Sequence, residues 1–158
     1  MKKGIQYMKR AILFLLISSL ALLCAVFDSV DNGAAKSISF IGGLLFFLLL
    51  LLGYFMFYRF SKFRKENTER LEKTNGKPGI IVFFSNPQAK KADIAMIISF
   101  VISVVTLITG QVNPALHASI LFNLISVLSS AVLIFTIQMH AILNGFNYRY
   151  YLTLTESK

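Results

Sequence analysis

The chain reads as an all-α membrane protein: a four-transmembrane-helix bundle with both termini inside and a charged cytoplasmic helical extension after the second span. Three observations predict this. Hydrophobic residues make up 56% of the 158 positions and charged residues 15%, with a mean hydropathy of +0.68; soluble domains average about 45–50% apolar and about 25% charged. Four apolar stretches are each long enough to cross roughly 30 Å of hydrocarbon as a helix. Fifteen of the sixteen Lys and Arg residues fall on one side of those stretches, which the positive-inside rule assigns to the cytoplasm. A water-soluble core could not hide this much Leu, Ile, Val and Phe without leaving large exposed apolar patches.

The first span covers about Ala11 to Phe27. Lys2, Lys3, Lys9 and Arg10 precede it, as in a secretory signal. Its exit has no small-x-small cleavage pattern, because Leu23 stands where a cut after Ala25 needs a small side chain, and a lipoprotein cut before Cys24 is blocked in the same way. An uncleaved helix is expected. Cys24 is the only cysteine, so no internal disulfide forms and the ordinary reading is a buried, inert thiol.

The second span covers about Ile38 to Tyr58 and contains an uninterrupted apolar run from Leu44 to Leu52. Tyr54, Phe55, Phe57, Tyr58 and Phe60 make an aromatic collar at its cytoplasmic end; Trp is absent, so Tyr and Phe must supply interfacial anchoring. The loop that follows, about 59–91, carries nine basic residues. Lys62–Glu66, Lys65–Glu69, Glu66–Arg70 and Glu69–Lys73 are opposite charges four apart, each supporting a helix by about 0.2–0.5 kcal/mol. The second helix is therefore expected to continue past the membrane until Asn75-Gly76 and Pro78 stop it. Gly79 to Phe84 reads as a short extended apolar segment. The ordinary role of the charged helix is to set topology. The sharper one is a docking surface for a protein or for anionic lipid, with Arg59, Lys62, Arg64, Lys65, Lys90 and Lys91 as the contact residues.

Ser85-Asn86-Pro87 is a helix start, a capping side chain followed by Pro in the first turn. The third span covers about Ala92 to Gly110, and the fourth runs from about Ala115 to Leu143. The short turn Gln111-Val112-Asn113-Pro114 makes these two an antiparallel hairpin. Ser99, Ser103, Thr106 and Gly110 recur on one face of span three with gaps of four, three and four. Ser119, Asn123, Ser126 and Ser130 recur on span four with the same gaps. Small residues let membrane helices approach closely and their hydroxyls bond across the gap. The two stripes are expected to form a packing seam that pairs Gly110 with Ser119, Thr106 with Asn123, Ser103 with Ser126 and Ser99 with Ser130. A weaker stripe on span one, Ser18, Ala21 and Ala25, could pack against the same bundle. After span four, Phe146, Tyr148, Tyr150 and Tyr151 form a second aromatic collar.

Candidate functional residues are few. Gln138, His140 and Asn144 crowd the inner end of span four, and His140 and Asn144, four apart, share a helix face. Polar residues within spans tend to mark function or partner contact, so this cluster is the first candidate site. His117 lies near the outer end, about 35 Å from His140 along a straight helix, so the two cannot share a metal, and each reads by default as an interfacial polar residue. Asp93 stands at the entry to span three beside Lys90 and Lys91; an ion pair or a carboxylate at a helix N-terminus is its ordinary role.

No ionised residue other than Asp93 interrupts a span, and no zinc-helix, nucleophile-elbow or phosphate-loop motif occurs. The expectation is a non-enzymatic protein without a cofactor or metal, acting through a protein partner as an accessory, regulatory or immunity-type subunit. The alternative is a small oligomeric transporter or channel, which a membrane-embedded carboxylate would favour and the interior of these spans lacks. A lipid-modifying enzyme has no residue set to support it. The net charge of +9 lies beside the spans rather than on one binding face, which excludes nucleic acid as the partner. The expected setting is a bacterial plasma membrane, with the bilayer and a protein partner or a second copy as contacts.

Overall fold

The computed structural model describes residues 2–67, 83–84 and 86–156. Among these, four helical stretches are long and apolar enough to cross a membrane. They are α1 (Lys2–Ala21) with its 3-10 continuation Leu22–Ser29, α2 (Gly33–Asn67), α3 (Lys90–Val112) and α4 (Ile120–Leu143); a shorter α5 (Phe146–Glu156) follows.

The helices form a row rather than a closed bundle. α1 packs on α2 and α4, α4 packs on α3, and α2 and α3 hold the two edges. α1 and α2 are antiparallel, and small residues allow them to touch closely. A Cβ at Gly42 would overlap the Cβ of Cys24, and one at Gly53 would stand 2.7 Å from a Leu15 methyl. The rest of α2 is an exposed apolar surface, with Phe40, Phe47, Leu51 and Tyr58 all outward. Cys24 is only partly covered; it packs on Gly42. Ser18 is fully buried and donates to its own helix at the Leu15 carbonyl, 2.8 Å away.

α2 has 35 residues, about 52 Å at 1.5 Å each, and so extends well beyond a bilayer core. Its end runs alongside the start of α1. Within this extension Lys62 and Glu66 pair at 3.8 Å; the Lys65–Glu69, Glu66–Arg70 and Glu69–Lys73 pairs, the Asn75-Gly76 stop and Gly79 to Val82 lie outside the described residues. The best-buried apolar cluster also sits at this basic end. Ile5, Met8, Leu15, Phe60, Ile142 and Leu154 form it, with Tyr148, Tyr150 and Tyr151 packed against it. The two aromatic collars are therefore partly core: Phe60 is fully buried, its ring 6.2 Å from that of Tyr150. The tail folds back as α5, whose Tyr150 and Leu154 join Ile142 of α4 against the ends of α1 and α2.

The hairpin α3–α4 is antiparallel as its short turn requires, but its seam is rotated. On α3, Ser99, Thr106 and Gly110 are buried. On α4 the buried face is Ser129, Thr136 and His140, not Ser119, Asn123, Ser126 and Ser130. Ser103 bonds Ser129 Oγ at 3.0 Å rather than Ser126. Gly110 meets His117 and Phe122 rather than Ser119. Span four opens with a 3-10 turn, Pro114–Ala118, which makes Ser119 a helix cap accepting the Phe122 N–H. Asn123 donates to the His117 carbonyl at 2.7 Å instead of facing Thr106. Ser130 donates to the Ser126 carbonyl, and Ser99 and Thr106 likewise donate to carbonyls one turn back. A hydroxyl satisfied within its own helix needs no partner on the next, so serine spacing alone does not mark the contacting face.

The contrast between adjacent glycines tests the α1–α2 contact. Gly43 has open space where Gly42 meets Cys24. Gly42→Leu is expected to lower stability in detergent by about 1–3 kcal/mol, the usual cost of overpacking, while Gly43→Leu leaves the unfolding midpoint unchanged.

Candidate functional site

A buried carboxylate and imidazole meet where α3 and α4 end beside each other. Asp93 is in the first turn of α3 and His140 in the last turn of α4. Asp93 Oδ1 lies 2.6 Å from His140 Nδ1. Asp93 is 0% exposed and His140 5%, so Asp93, expected beside Lys90 and Lys91, instead faces His140, and both Lys side chains are exposed. His140 is a buried partner rather than an interfacial residue. One proton must lie between the two atoms, since an ionised carboxylate can only accept.

The second carboxylate oxygen is also occupied. Asp93 Oδ2 accepts the backbone N–H of Phe84 at 2.8 Å. Phe84 has a φ of +62°, a left-handed conformation that bulky residues avoid and that surrounding contacts must hold. Its neighbour Phe83 stacks on the His140 ring, with centroids 4.8 Å apart and planes inclined by 24°. Both phenylalanines remain half-exposed, at 46% and 48%. The Asp93–His140 pair thus fixes the segment entering α3 over the ends of α3 and α4.

Two asparagines tie down the same corner. Asn144 Nδ2 donates to the His140 carbonyl at 2.9 Å and stands 3.4 Å from His140 Nδ1. Asn86 Nδ2 donates to the Leu143 carbonyl at 3.0 Å, and its Oδ1 accepts the Gln88 N–H. The terminal Leu143 carbonyl of α4 is satisfied this way, whereas the His140 carbonyl also accepts the Asn144 backbone N–H. Asn86 therefore caps the turn before α3 and links it to α4 at once.

Of the sequence candidates, His140 and Asn144 belong to this corner and Gln138 does not. Gln138 Oε1 is buried without a hydrogen-bond partner among the described residues. His117 lies at the opposite end, lining a small cleft with Asp28, Ser29 and Asn123. Arg59 packs on Tyr7, Lys62 pairs with Glu66, Arg64 is half-buried and Lys65 exposed. Asp93, Phe83, Phe84 and Asn86 were not in the expected cluster; the only sequence signal for the pairing is that Asp93 and His140 fall at the same depth of an antiparallel hairpin.

Chemically, the corner holds two groups capable of ligating a metal, and among the described residues no third His, Cys, Asp or Glu joins them. With Oδ1 on the imidazole and Oδ2 on a backbone N–H, the carboxylate is committed to structure. Between α3 and α4 lies a cleft of about 330 Å³ whose lining includes Ala95, Ile98, Ile102, Leu128 and Val132, an apolar surface. No family model, curated protein or solved structure matches the chain.

Removing one member of a buried pair strands the other and costs about 3–5 kcal/mol, whereas replacing both with apolar groups is often neutral. In a double-mutant cycle read by unfolding in detergent, Asp93→Leu and His140→Leu singly are expected to destabilise by that order. Together they are expected to cost less than either alone.

Proposed function

We propose that this chain is a non-enzymatic membrane protein that acts on a protein partner through its basic end, as an accessory, regulatory or immunity-type subunit. The observation that carries this reading is the use to which the buried pair is put. Asp93 bonds His140 through one oxygen and the Phe84 N–H through the other, and Phe83 stacks on His140, so both phenylalanines are held at the rim, half-exposed, on a backbone turn that costs energy to keep. Exposed aromatic side chains on a pinned backbone are the usual anchors of protein interfaces, because little entropy remains to be lost on binding.

The charge bias supports a cytoplasmic basic end with both termini inside, and the compact chain with strong bias suits a bacterial plasma membrane. The row of helices supports a contact role over a pore within one chain, since its long helices do not surround a common space and the hydroxyls of α3 and α4 bond to carbonyls of their own helices. A second reading, an oligomeric transporter, draws on the Asp93–His140 pair itself, because titratable pairs within membrane helices often serve ion or proton paths.

Purification in mild detergent is expected to recover a stoichiometric partner. Phe83→Ser with Phe84→Ser should abolish that recovery without lowering the unfolding midpoint, while Lys65→Ser leaves it intact. Recovery of self-oligomers only, together with solute flux in proteoliposomes, would favour transport and defeat the partner reading.

A further inference from the structure

The antiparallel ends of α1 and α2 enclose a cleft of about 270 Å³, lined by Lys3, Tyr7, Arg59, Lys62, Phe63 and Glu66. Lys3 and Tyr7 are one turn apart on α1. Arg59, Lys62, Phe63 and Glu66 follow the 3–4 spacing of one face of α2. The residues come from chain positions far apart, and the helix packing brings their charges together.

The charge in the cleft is unbalanced. Three cations face one carboxylate, and among the described residues the one ion pair Glu66 makes is with Lys62, at 3.8 Å between exposed side chains. Among the described residues neither Lys3 nor Arg59 has a carboxylate within ion-pair distance. Arg59 rests instead on a neutral phenol: its Nη2 donates to Tyr7 Oη at 3.2 Å, and its guanidinium carbon lies 5.4 Å from the centre of the Tyr7 ring. That contact fixes the guanidinium while leaving donors free, since Arg carries five N–H groups. A planar guanidinium with spare donors matches the oxygens of a phosphate, and two flexible ammonium groups beside it add charge.

Depth narrows the ligand further. Arg59 is the first charged residue after the apolar run of α2, directly after Tyr58 and little more than a turn beyond Tyr54. In α1, Tyr7 lies one turn before the first apolar stretch and Lys3 two turns. Headgroups occupy about 5–7 Å outside the hydrocarbon on each side, so the cleft stands at the level of the lipid phosphates.

We infer that the Lys3–Tyr7–Arg59–Lys62 cleft binds a phosphate group at the membrane surface, carried by an anionic phospholipid or free in solution. Arg59 and Tyr7 form the fixed wall, Lys3 and Lys62 close over the anion, and Phe63 supplies an apolar side. The site is independent of the Asp93–His140 corner and of any protein partner there.

The test uses the full chain in a neutral detergent, where no charged bilayer contributes a general attraction. Native mass spectrometry measures retention of added phosphatidylglycerol against phosphatidylcholine, and calorimetric titration with inorganic phosphate supplies the free-phosphate arm. Phosphatidylglycerol retained at least about tenfold better, with no response to inorganic phosphate, assigns the lipid headgroup; a saturating response to inorganic phosphate assigns the free anion. Charge-assisted bonds of this strength predict that Lys3→Gln with Arg59→Gln lowers the observed affinity about tenfold or more. Lys65→Gln with Lys90→Gln, which removes the same charge elsewhere, should change it less than about twofold. Lys3→Gln alone, at an exposed side chain, should still lower it measurably and guards against misfolding of the Arg59 variant. Equal retention of both lipids with no response to inorganic phosphate, or equal loss in the cleft and control variants, would overturn the site.

Discussion

A carboxylate buried at the end of an apolar helical hairpin survives only if both of its oxygens have partners, and the arrangement of this chain's hairpin depends on that requirement being met at Asp93. One oxygen takes the imidazole of His140 and the other the N–H of Phe84. Each contact constrains a different element. The imidazole ties the beginning of α3 to the end of α4, which matters because α3 is an edge helix whose packing is almost wholly against α4 and the turn before it. The backbone bond fixes the preceding segment in a conformation that a phenylalanine would not otherwise hold. Where lipid offers no hydrogen bonds, an unsatisfied polar group costs several kcal/mol, so this corner is either complete or strongly destabilising.

The same constraint explains the other polar residues. Ser18, Ser99, Thr106, Ser130 and Thr136 are satisfied by carbonyls of their own helices, and Ser103 reaches across to Ser129. Local satisfaction leaves the helices free to pack by shape, through Gly42 on Cys24 and Gly53 on Leu15. Lacking a shared interior, the row of long helices gathers its apolar core at the basic end instead, where α5 brings Leu154 and Tyr150 onto Met8 and Phe60. The rim that carries the polar corner and the rim that carries the core are thus the same end of the molecule, and the contact reading rests on that coincidence.

Much of the scaffold was legible from composition and length, because hydrocarbon thickness leaves few ways to arrange four apolar stretches. The hairpin followed from a four-residue turn. On α3, three members of the small-polar stripe, Ser99, Thr106 and Gly110, are buried. On α4 the same rule chose Ser126 and Ser130, whereas Ser129 between them is the one that is buried and meets Ser103. Serines that bond to their own carbonyls carry no information about a neighbouring helix, and a 3-10 turn at Pro114–Ala118 shifted the register. The collar after span four misled for a related reason: aromatic residues suit both an interface and a core, and only the fold of α5 separates these. His140 and Asn144 stood out as polar residues in an apolar setting. Asp93 did not join them, because two adjacent lysines offered it a nearer partner in sequence than His140.

The central claim is that Asp93 holds the Phe83–Phe84 segment against the hairpin. Hydrogen exchange at the Phe84 amide tests it most directly. In the wild-type protein in detergent that amide is expected to be protected far beyond an unstructured peptide, and Asp93→Ala should return it to the free-peptide rate while the mid-helix amides of α4 stay protected. Free exchange in the wild type, or protection that persists in Asp93→Ala, would contradict the account.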